Sequence, residues 1–281
     1  MSSSRERNDR KTSFLPKGEK REKSGPPRVS SRSSGSDGKD WLWGVHAVEA
    51  ALANPRRASP RRLVATADRA KGLNARFGRA VSIEILEGPL IARLLPPGAV
   101  HQGLALKVDA LEPLSIEELG SPASGVIVML DQVTDPQNVG AIFRSAAAFG
   151  ARGIILQDRN APALGGALAK AAVGAVDRIP HASVVNLSRA LEQLADMGWR
   201  AVGLAGQASE TLDQALDGRP TVLVMGSEGE GIRRLVAEHC DVLAKISMPG
   251  GFESINVSNA AAIALYESVK VRASGEEVTQ K

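Results

Sequence analysis

A chain of 281 residues that is 43% hydrophobic and 23% charged has the length and composition of one large globular domain or two ordinary ones. No apolar run reaches the roughly 18–20 residues a membrane span needs, the polar N-terminus lacks the apolar stretch of a secretory signal, and the single cysteine, Cys240, excludes an internal disulfide and, with four histidines, offers no zinc spacing. A net charge of +4 points to a polyanionic partner, while 3% aromatics argues against a base-stacking platform; a cytoplasmic protein without a metal is expected.

The charge is uneven. Residues 1–40 hold 11 Lys/Arg against 6 Asp/Glu, and the remaining 241 residues are net −1. Residues 1–39, with ten serines and one aromatic, read as a disordered basic tail that either solvates the protein or grips phosphates. Residues 54–79 carry eight Lys/Arg, among them Arg56, Arg57, Arg61 and Arg62, against Asp68 alone. These arginines are expected to hold the phosphates of a polyanionic partner, so charge reversal at Arg61 and Arg62 should weaken binding and flatten its salt dependence. Residues 121–281 are slightly acidic, with 14 Lys/Arg and 17 Asp/Glu.

In chain order, residues 43–52 have the apolar spacing of a helix. Strand-like runs follow at 62–66, 81–86 and 104–108, with helical stretches near 69–78 and 89–95, giving a small α/β module over 40–110. Residues 111–124, with two prolines and a Gly-Ser-Pro break, read as a linker. From Val126 the pattern becomes strand and helix in alternation. Strands are expected at 126–130, 153–156, 200–204, 221–225 and 242–246, and helices at 136–149, 187–197, 232–238 and 256–271. Alternation with continuous apolar strands predicts a mostly parallel sheet covered by helices on both faces, in a domain spanning 125–275.

Three segments of that domain carry chemistry. In the first, Leu130-Asp131-Gln132 leads through Asp135-Pro136-Gln137-Asn138 to Arg144. It places Asn138 and Arg144 near the C-terminal edge of a strand, where open α/β sheets bind ligands. A capped helix with a surface arginine is the plainer reading. The second, Met225-Gly226-Ser227-Glu228-Gly229-Glu230-Gly231, is a glycine-rich turn after an apolar strand. Its glycine order does not fit a dinucleotide loop, Arg234 stands where a third small residue is needed, no Walker lysine follows, and two carboxylates would repel a pyrophosphate. That argues against a nucleotide-binding oxidoreductase and for a cationic or neutral ligand. The third runs from Ile246-Ser247-Met248-Pro249-Gly250-Gly251 to Ser254-Ile255-Asn256. Ser254 and Asn256 are good helix N-caps, which is the plainer reading; the sharper one is a polar pair beside a glycine-rich loop.

In order and wording these segments resemble the three signature motifs of the SpoU (TrmH-type) RNA ribose 2′-O-methyltransferases of the SPOUT superfamily, over about 125–272. Gly44-Val45-His46-Ala47-Val48 and His101-Gln102-Gly103 resemble the L30e-like N-terminal domain of members that act on guanosine in large-subunit (23S) ribosomal RNA. The resemblance implies a homodimer that binds S-adenosyl-L-methionine in a C-terminal trefoil knot. It implies cofactor contacts from Leu204, Gly226, Gly229, Ile246, Met248 and Ile255, largely through backbone groups. It assigns Asn138, Arg144, Glu228, Ser254 and Asn256 to the polar catalytic set. Arg144 would either accept the ribose proton or stabilise the developing alkoxide, an arginine being normally protonated. Two positions depart from the family pattern: Ser247 stands where proline is common, and Ile255 where leucine is usual. The same motifs leave open a transfer RNA substrate, or a non-catalytic RNA-binding factor in ribosome assembly.

Overall fold

Seven strands of the body pair in parallel throughout, so their C-terminal ends all open on one edge. The structure, a computed structural model, describes residues 40–57, 60–78, 82–250 and 254–279; the basic tail expected over 1–39 lies outside them. The sheet is built from β5 (Val126–Leu130), β6 (Gly153–Gln157), β7 (His181–Val184), β8 (Arg200–Leu204), β9 (Glu210–Thr211), β10 (Thr221–Met225) and β11 (Val242–Lys245). Its order is β7-β6-β5-β10-β8-β11-β9. The chain moves outward from β5 to β7, then crosses back, and β10 inserts beside β5. The direction of winding reverses at that point, and a crevice at the strand ends follows from the topology.

The continuous apolar strands are explained by burial on both faces. Along β5, Val126, Val128 and Leu130 enter one core cluster, while Ile127 and Met129 enter the other. β10 divides in the same way, Leu223 and Met225 against Val222 and Val224. The first core is roofed by α5 (Pro136–Ala148) and α10 (Val257–Thr279). The second is roofed by α4 (Ile116–Gly120), by α9 (Arg234–Ala237) through Val236, and by α7 (Leu187–Asp196), whose Leu187, Ala190, Leu191 and Leu194 recur at helical spacing.

Two expectations are corrected in this region. The stretch 111–124 is not a free linker: Ser115 and Glu118 close a capping box (Oγ from Glu118 N at 3.1 Å, Oε2 from Ser115 N at 2.8 Å). Leu111, Ile116 and Leu119 are buried there, and the Trp199 indole donates to Gly120 O at 2.8 Å. The alternation also contains elements that the pattern did not reveal: β7, β9, α6 (Gly166–Ala171) and α8 (Leu212–Ala215).

The front module has a sheet of its own, ordered β1-β4-β2-β3, from β1 (Trp41–Trp43), β2 (Arg62–Ala65), β3 (Glu84–Ile85) and β4 (Leu104–Lys107). Helices α1 (Val45–Ala53) and α2 (Ala67–Phe77) precede α3 (Gly88–Ala92) along the chain. Trp43 belongs to β1, opposite Ala105, and not to the helix that starts after it. Gly44, at φ 87°, makes the break, and a side chain there would strike Lys170 and Gln102. Module and body cluster as one compact unit. At their junction Gln102 Oε1 accepts from Val45 N at 3.2 Å and from Lys170 Nζ at 2.9 Å, which joins the two front motifs to the body.

His181 lies buried at the start of β7, and burial, helped by the nearby Arg56 and Arg57 charges, pulls its pKa from 6.5 to about 4. The fold therefore holds a neutral imidazole, and its contribution is complete above the unfolded value. As the pH falls from 6.5 toward about 4 the unfolded chain takes up a proton that the folded chain refuses, at a cost approaching about 3 kcal/mol. Denaturant midpoints at about pH 7 and about pH 4.5 should show this fall, and His181→Asn should flatten it; an unchanged slope in the variant would assign the fall to other groups.

Among the described residues no helix is long and apolar enough to cross a membrane, and no group of three His, Cys, Asp or Glu side chains could hold a metal ion.

Candidate active site

The site forms where the loops after β5, β10 and β11 meet. Asp135 caps α5 by accepting from Gln137 N (3.1 Å) and Asn138 N (3.3 Å), with Pro136 at the first helical position. That capping sets Asn138 on the first turn. Asn256 caps α10: its Oδ1 accepts from Ser258 N at 2.9 Å and Asn259 N at 3.4 Å. Its amide faces the other way. Asn256 Nδ2 donates to Glu228 Oε1 at 2.7 Å and to Asn138 Oδ1 at 2.9 Å, while Asn138 Nδ2 donates to the same Glu228 oxygen at 3.1 Å. Val257 N adds a longer bond to that oxygen at 3.4 Å. Three residues from separate loops thus share one carboxylate oxygen, and for Asn256 the capping and polar-pair readings both hold.

Arg144 lies farther along α5, exposed, with no hydrogen bond or ion pair to any described residue. Ser254 is exposed just ahead of Asn256 and stands outside the network. An exposed guanidinium on the same helix as Asn138, unpaired among the described residues, is suited to a polyanionic substrate.

Leu204 ends β8, Gly226 follows β10 and Ile246 follows β11; these strands are neighbours in the sheet, so the loops leave side by side. Gly229 lies in the Gly226 loop, Met248 in the Ile246 loop, and Ile255 immediately before α10. Leu204 and Ile246 pack against the same core. The Gly226 loop folds back on itself, Ser227 N to Gly231 O at 3.2 Å and Gly231 N to Ser227 O at 3.0 Å. This return brings the Gly231–Ile232 backbone against Gly226 Cα, where a Cβ would sit far inside contact distance of main-chain atoms. Gly226→Ala is therefore expected to displace the loop and cost ligand affinity at least about tenfold, since backbone cannot yield as a side chain does; calorimetric titration with S-adenosylhomocysteine checks it, and undiminished affinity would refute it.

The residues present fit S-adenosylmethionine. Half-buried Leu204 and Ile246 give an apolar surface at the strand ends, open space lies over Gly229 and Gly250, and the Glu228 carboxylate suits a sulfonium. Cys240 plays no nucleophilic part in such a site: burial, with Asp241 and Asp131 near it, pushes its thiol up to about 12.

Asp131, in the first motif, has a structural part that its position in the sequence does not by itself reveal. It is fully buried at the end of β5, accepting from Arg233 N at 2.8 Å and Arg233 Nε at 2.7 Å. It ties the far end of the glycine-rich loop to the strand that delivers Asn138. An aspartate directly after an apolar strand was the available signal.

The four arginines expected to hold RNA fare differently. Arg57 is withdrawn from that role. Its side chain is 5% exposed and paired with Asp177, itself 2% exposed, at 2.6 Å, and it also donates to Asp109 O at 2.8 Å. Arg61 pairs with Asp109 and Arg62 with Glu84, both near the surface, and Arg56 donates to Glu112 O at 2.8 Å. Acids distant in sequence neutralise much of what counting along the chain makes a patch. Charge reversal at Arg61 and Arg62 should thus reduce the slope of log affinity against log salt by fewer than the two contacts their number suggests, as measured by RNA titration at several salt concentrations; a drop of two full contacts would mean that both pairs open on binding.

Residues 125–266 match the SpoU rRNA Methylase family. A 23S rRNA (guanosine-2′-O-)-methyltransferase, RlmB, of Pseudomonas aeruginosa is 38% identical over 238 residues, covering 82% of this chain and 96% of that protein. Among solved structures, the SpoU methyltransferase AviRb from Streptomyces viridochromogenes superposes with a TM-score of 0.71 at 25% identity, covering 84% of this chain and 90% of that one. An AdoMet-bound rRNA methyltransferase from Sinorhizobium meliloti gives 0.68 at 25% identity, covering 82% and 86%. With the parallel α/β sheet, the convergent motif residues and these matches in agreement, the chain belongs to the SpoU rRNA methylase family.

Proposed function

We propose that the protein methylates the 2′-oxygen of a ribose in ribosomal RNA, a guanosine of 23S rRNA, with S-adenosyl-L-methionine as donor. The observation that carries this reading is the meeting of Asn138, Glu228 and Asn256 on one carboxylate oxygen at the switch point of the sheet. When bound, the cofactor supplies an electrophilic sulfonium methyl group. Gly226, Gly229, Ile246, Met248 and Ile255 would hold it, mostly through main-chain groups, with Leu204 a further contact.

A neutral ribose hydroxyl is a poor nucleophile, so its proton must leave as it attacks. Asn138 and Asn256, locked to Glu228, present fixed amides that orient the ribose. Arg144, without a partner among the described residues, takes the ribose-phosphate and stabilises the developing alkoxide, the proton passing to a phosphate oxygen or water. Ser254 borders the same approach. Fixed positioning of this kind is worth several kcal/mol of barrier.

In this reading the loops at the C-terminal edge form the family's trefoil knot, supported by the insertion of β10 between β5 and β8. Residues 40–110 are an L30e-like module that holds RNA, and 125–275, with 111–124 packed on it, is the methyltransferase domain. The enzyme acts as a cytoplasmic homodimer; exposed Ile263 and Tyr266 on α10 support a partner surface there.

The test joins calorimetry with S-adenosylhomocysteine and NAD to mapping of 2′-O-methyl groups in 23S rRNA after incubation with the protein. Binding of the first ligand alone, with one new methylated guanosine, is expected. Binding of NAD, or intact cofactor binding with no methylated ribose in any RNA, would sink the proposal.

A further inference from the structure

Between the front module and the body lies a cavity of about 350 Å³, within the range of about 300–1,000 Å³ typical of small-molecule sites. Leu42 and Val108 wall it from the module, Leu156 and Leu164 from the body. It lies beside the catalytic edge: Leu156 and Ala161 also line the notch beneath Gln132 and Thr134, in the loop that leads to Asn138. No element of the reaction described above uses it.

Its polar lining is selective. The sole cation, Arg57, is spent on Asp177 and on Asp109 O. Asp109 is itself paired with Arg61. His181 is held neutral by burial. What remains is the exposed Asp158, whose carboxylate has no ion pair among the described residues and one long hydrogen bond, from Ser183 Oγ at 3.5 Å. A phosphate entering here would find a carboxylate and no free positive charge. A flat, neutral ring with apolar faces and paired N–H donors on one edge would find walls for its faces and acceptors for its edge.

Among nucleobases that description fits guanine. Its Watson–Crick edge offers the ring N–H and the exocyclic amine side by side, as a carboxylate accepts them, whereas adenine and cytosine place an acceptor there. We propose that this cavity receives a guanine base of the RNA substrate, turned out of its stack, with Asp158 accepting from its ring N–H and exocyclic amine. The RNA origin of the base rests on the methyltransferase reading; the guanine chemistry rests on the cavity alone. Reading of splayed-out bases along that edge is the usual route to sequence choice in RNA.

The full-length protein is titrated with guanosine, inosine and adenosine, followed by nuclear magnetic resonance. Saturable guanosine binding is expected, with inosine, which lacks the exocyclic amine, and adenosine each weaker by about tenfold or more. Asp158→Asn and the mouth-filling Ala163→Trp should each weaken guanosine by a similar factor and leave S-adenosylhomocysteine binding unchanged. A 23S rRNA transcript should displace the nucleoside. Equal binding of the three nucleosides, no saturable binding of guanosine, or full guanosine affinity in Asp158→Asn would overturn the assignment. Guanosine that the transcript leaves bound would overturn its RNA origin. Failure of the unaltered protein to methylate 23S rRNA would strike the enzymatic reading and leave the guanine site standing.

Discussion

Arg144→Ala is expected to lower the rate of RNA methylation by about a hundredfold to a thousandfold, the range seen when one preorganised donor to a developing oxyanion is removed. The expectation follows from what the residue lacks. Arg144 is exposed on α5 with no hydrogen bond or ion pair to any described residue, so its deletion takes nothing from the fold. Its charge is free for the substrate. S-adenosylhomocysteine affinity and the thermal midpoint should therefore match the unaltered protein. Single-turnover rates with saturating RNA separate this from weaker RNA binding. Near-full turnover in the variant would remove Arg144 from the reaction.

Arg57→Ala should destabilise the protein by about 3–5 kcal/mol, because it strands the Asp177 carboxylate in a site 2% exposed with, among the described residues, only Asn54 Nδ2, at 3.0 Å, to answer it. The pair joins the loop after α1 to the 3₁₀ turn at Ala175–Asp177 in the body, so the loss falls on the junction between module and body. Truncating both partners should recover much of the loss, since no unpaired charge then stays buried. Denaturant midpoints of the two single variants and the double variant measure this. A single variant as stable as the parent would show that the pair opens to water at little cost.

The two arginines show where sequence reasoning succeeds and where it stops. Arg144 was legible because its place relative to Asn138 and to a strand end is local, and a motif preserves local spacing. Arg57 was misread because its meaning depends on Asp177, more than a hundred residues away, and counting charges along a chain cannot see acids brought in by folding. The central strands were legible for the same reason as Arg144. Val126–Leu130 and Thr221–Met225 are apolar without interruption because both faces are covered, and their bounds agree with expectation. The helix Gly166–Ala171 was not legible: its alanines and glycines show no contrast between faces, and it forms where Gly140 of α5 allows close packing. Trp43 was assigned to a helix because apolar spacing ignores the φ of Gly44. In the site, the three residues that meet were each visible in a motif, but their sharing of one Glu228 oxygen was not, since that depends on β10 lying next to β5.

That adjacency bears on when the protein first becomes competent during its synthesis. Val126 pairs with Thr221, and the last member of the network, Asn256, comes later still. A nascent chain that has passed β7 already owns three adjacent strands and Asn138, yet has no carboxylate to hold that amide and no loops for a cofactor. Contacts so far apart along the chain close slowly, and chains emerge at about 5–20 residues per second. The site around Glu228 is thus among the last parts to assemble, and a chain cut short after β7 would hold a folded front module and Asn138 but neither Glu228 nor Asn256 to complete the network.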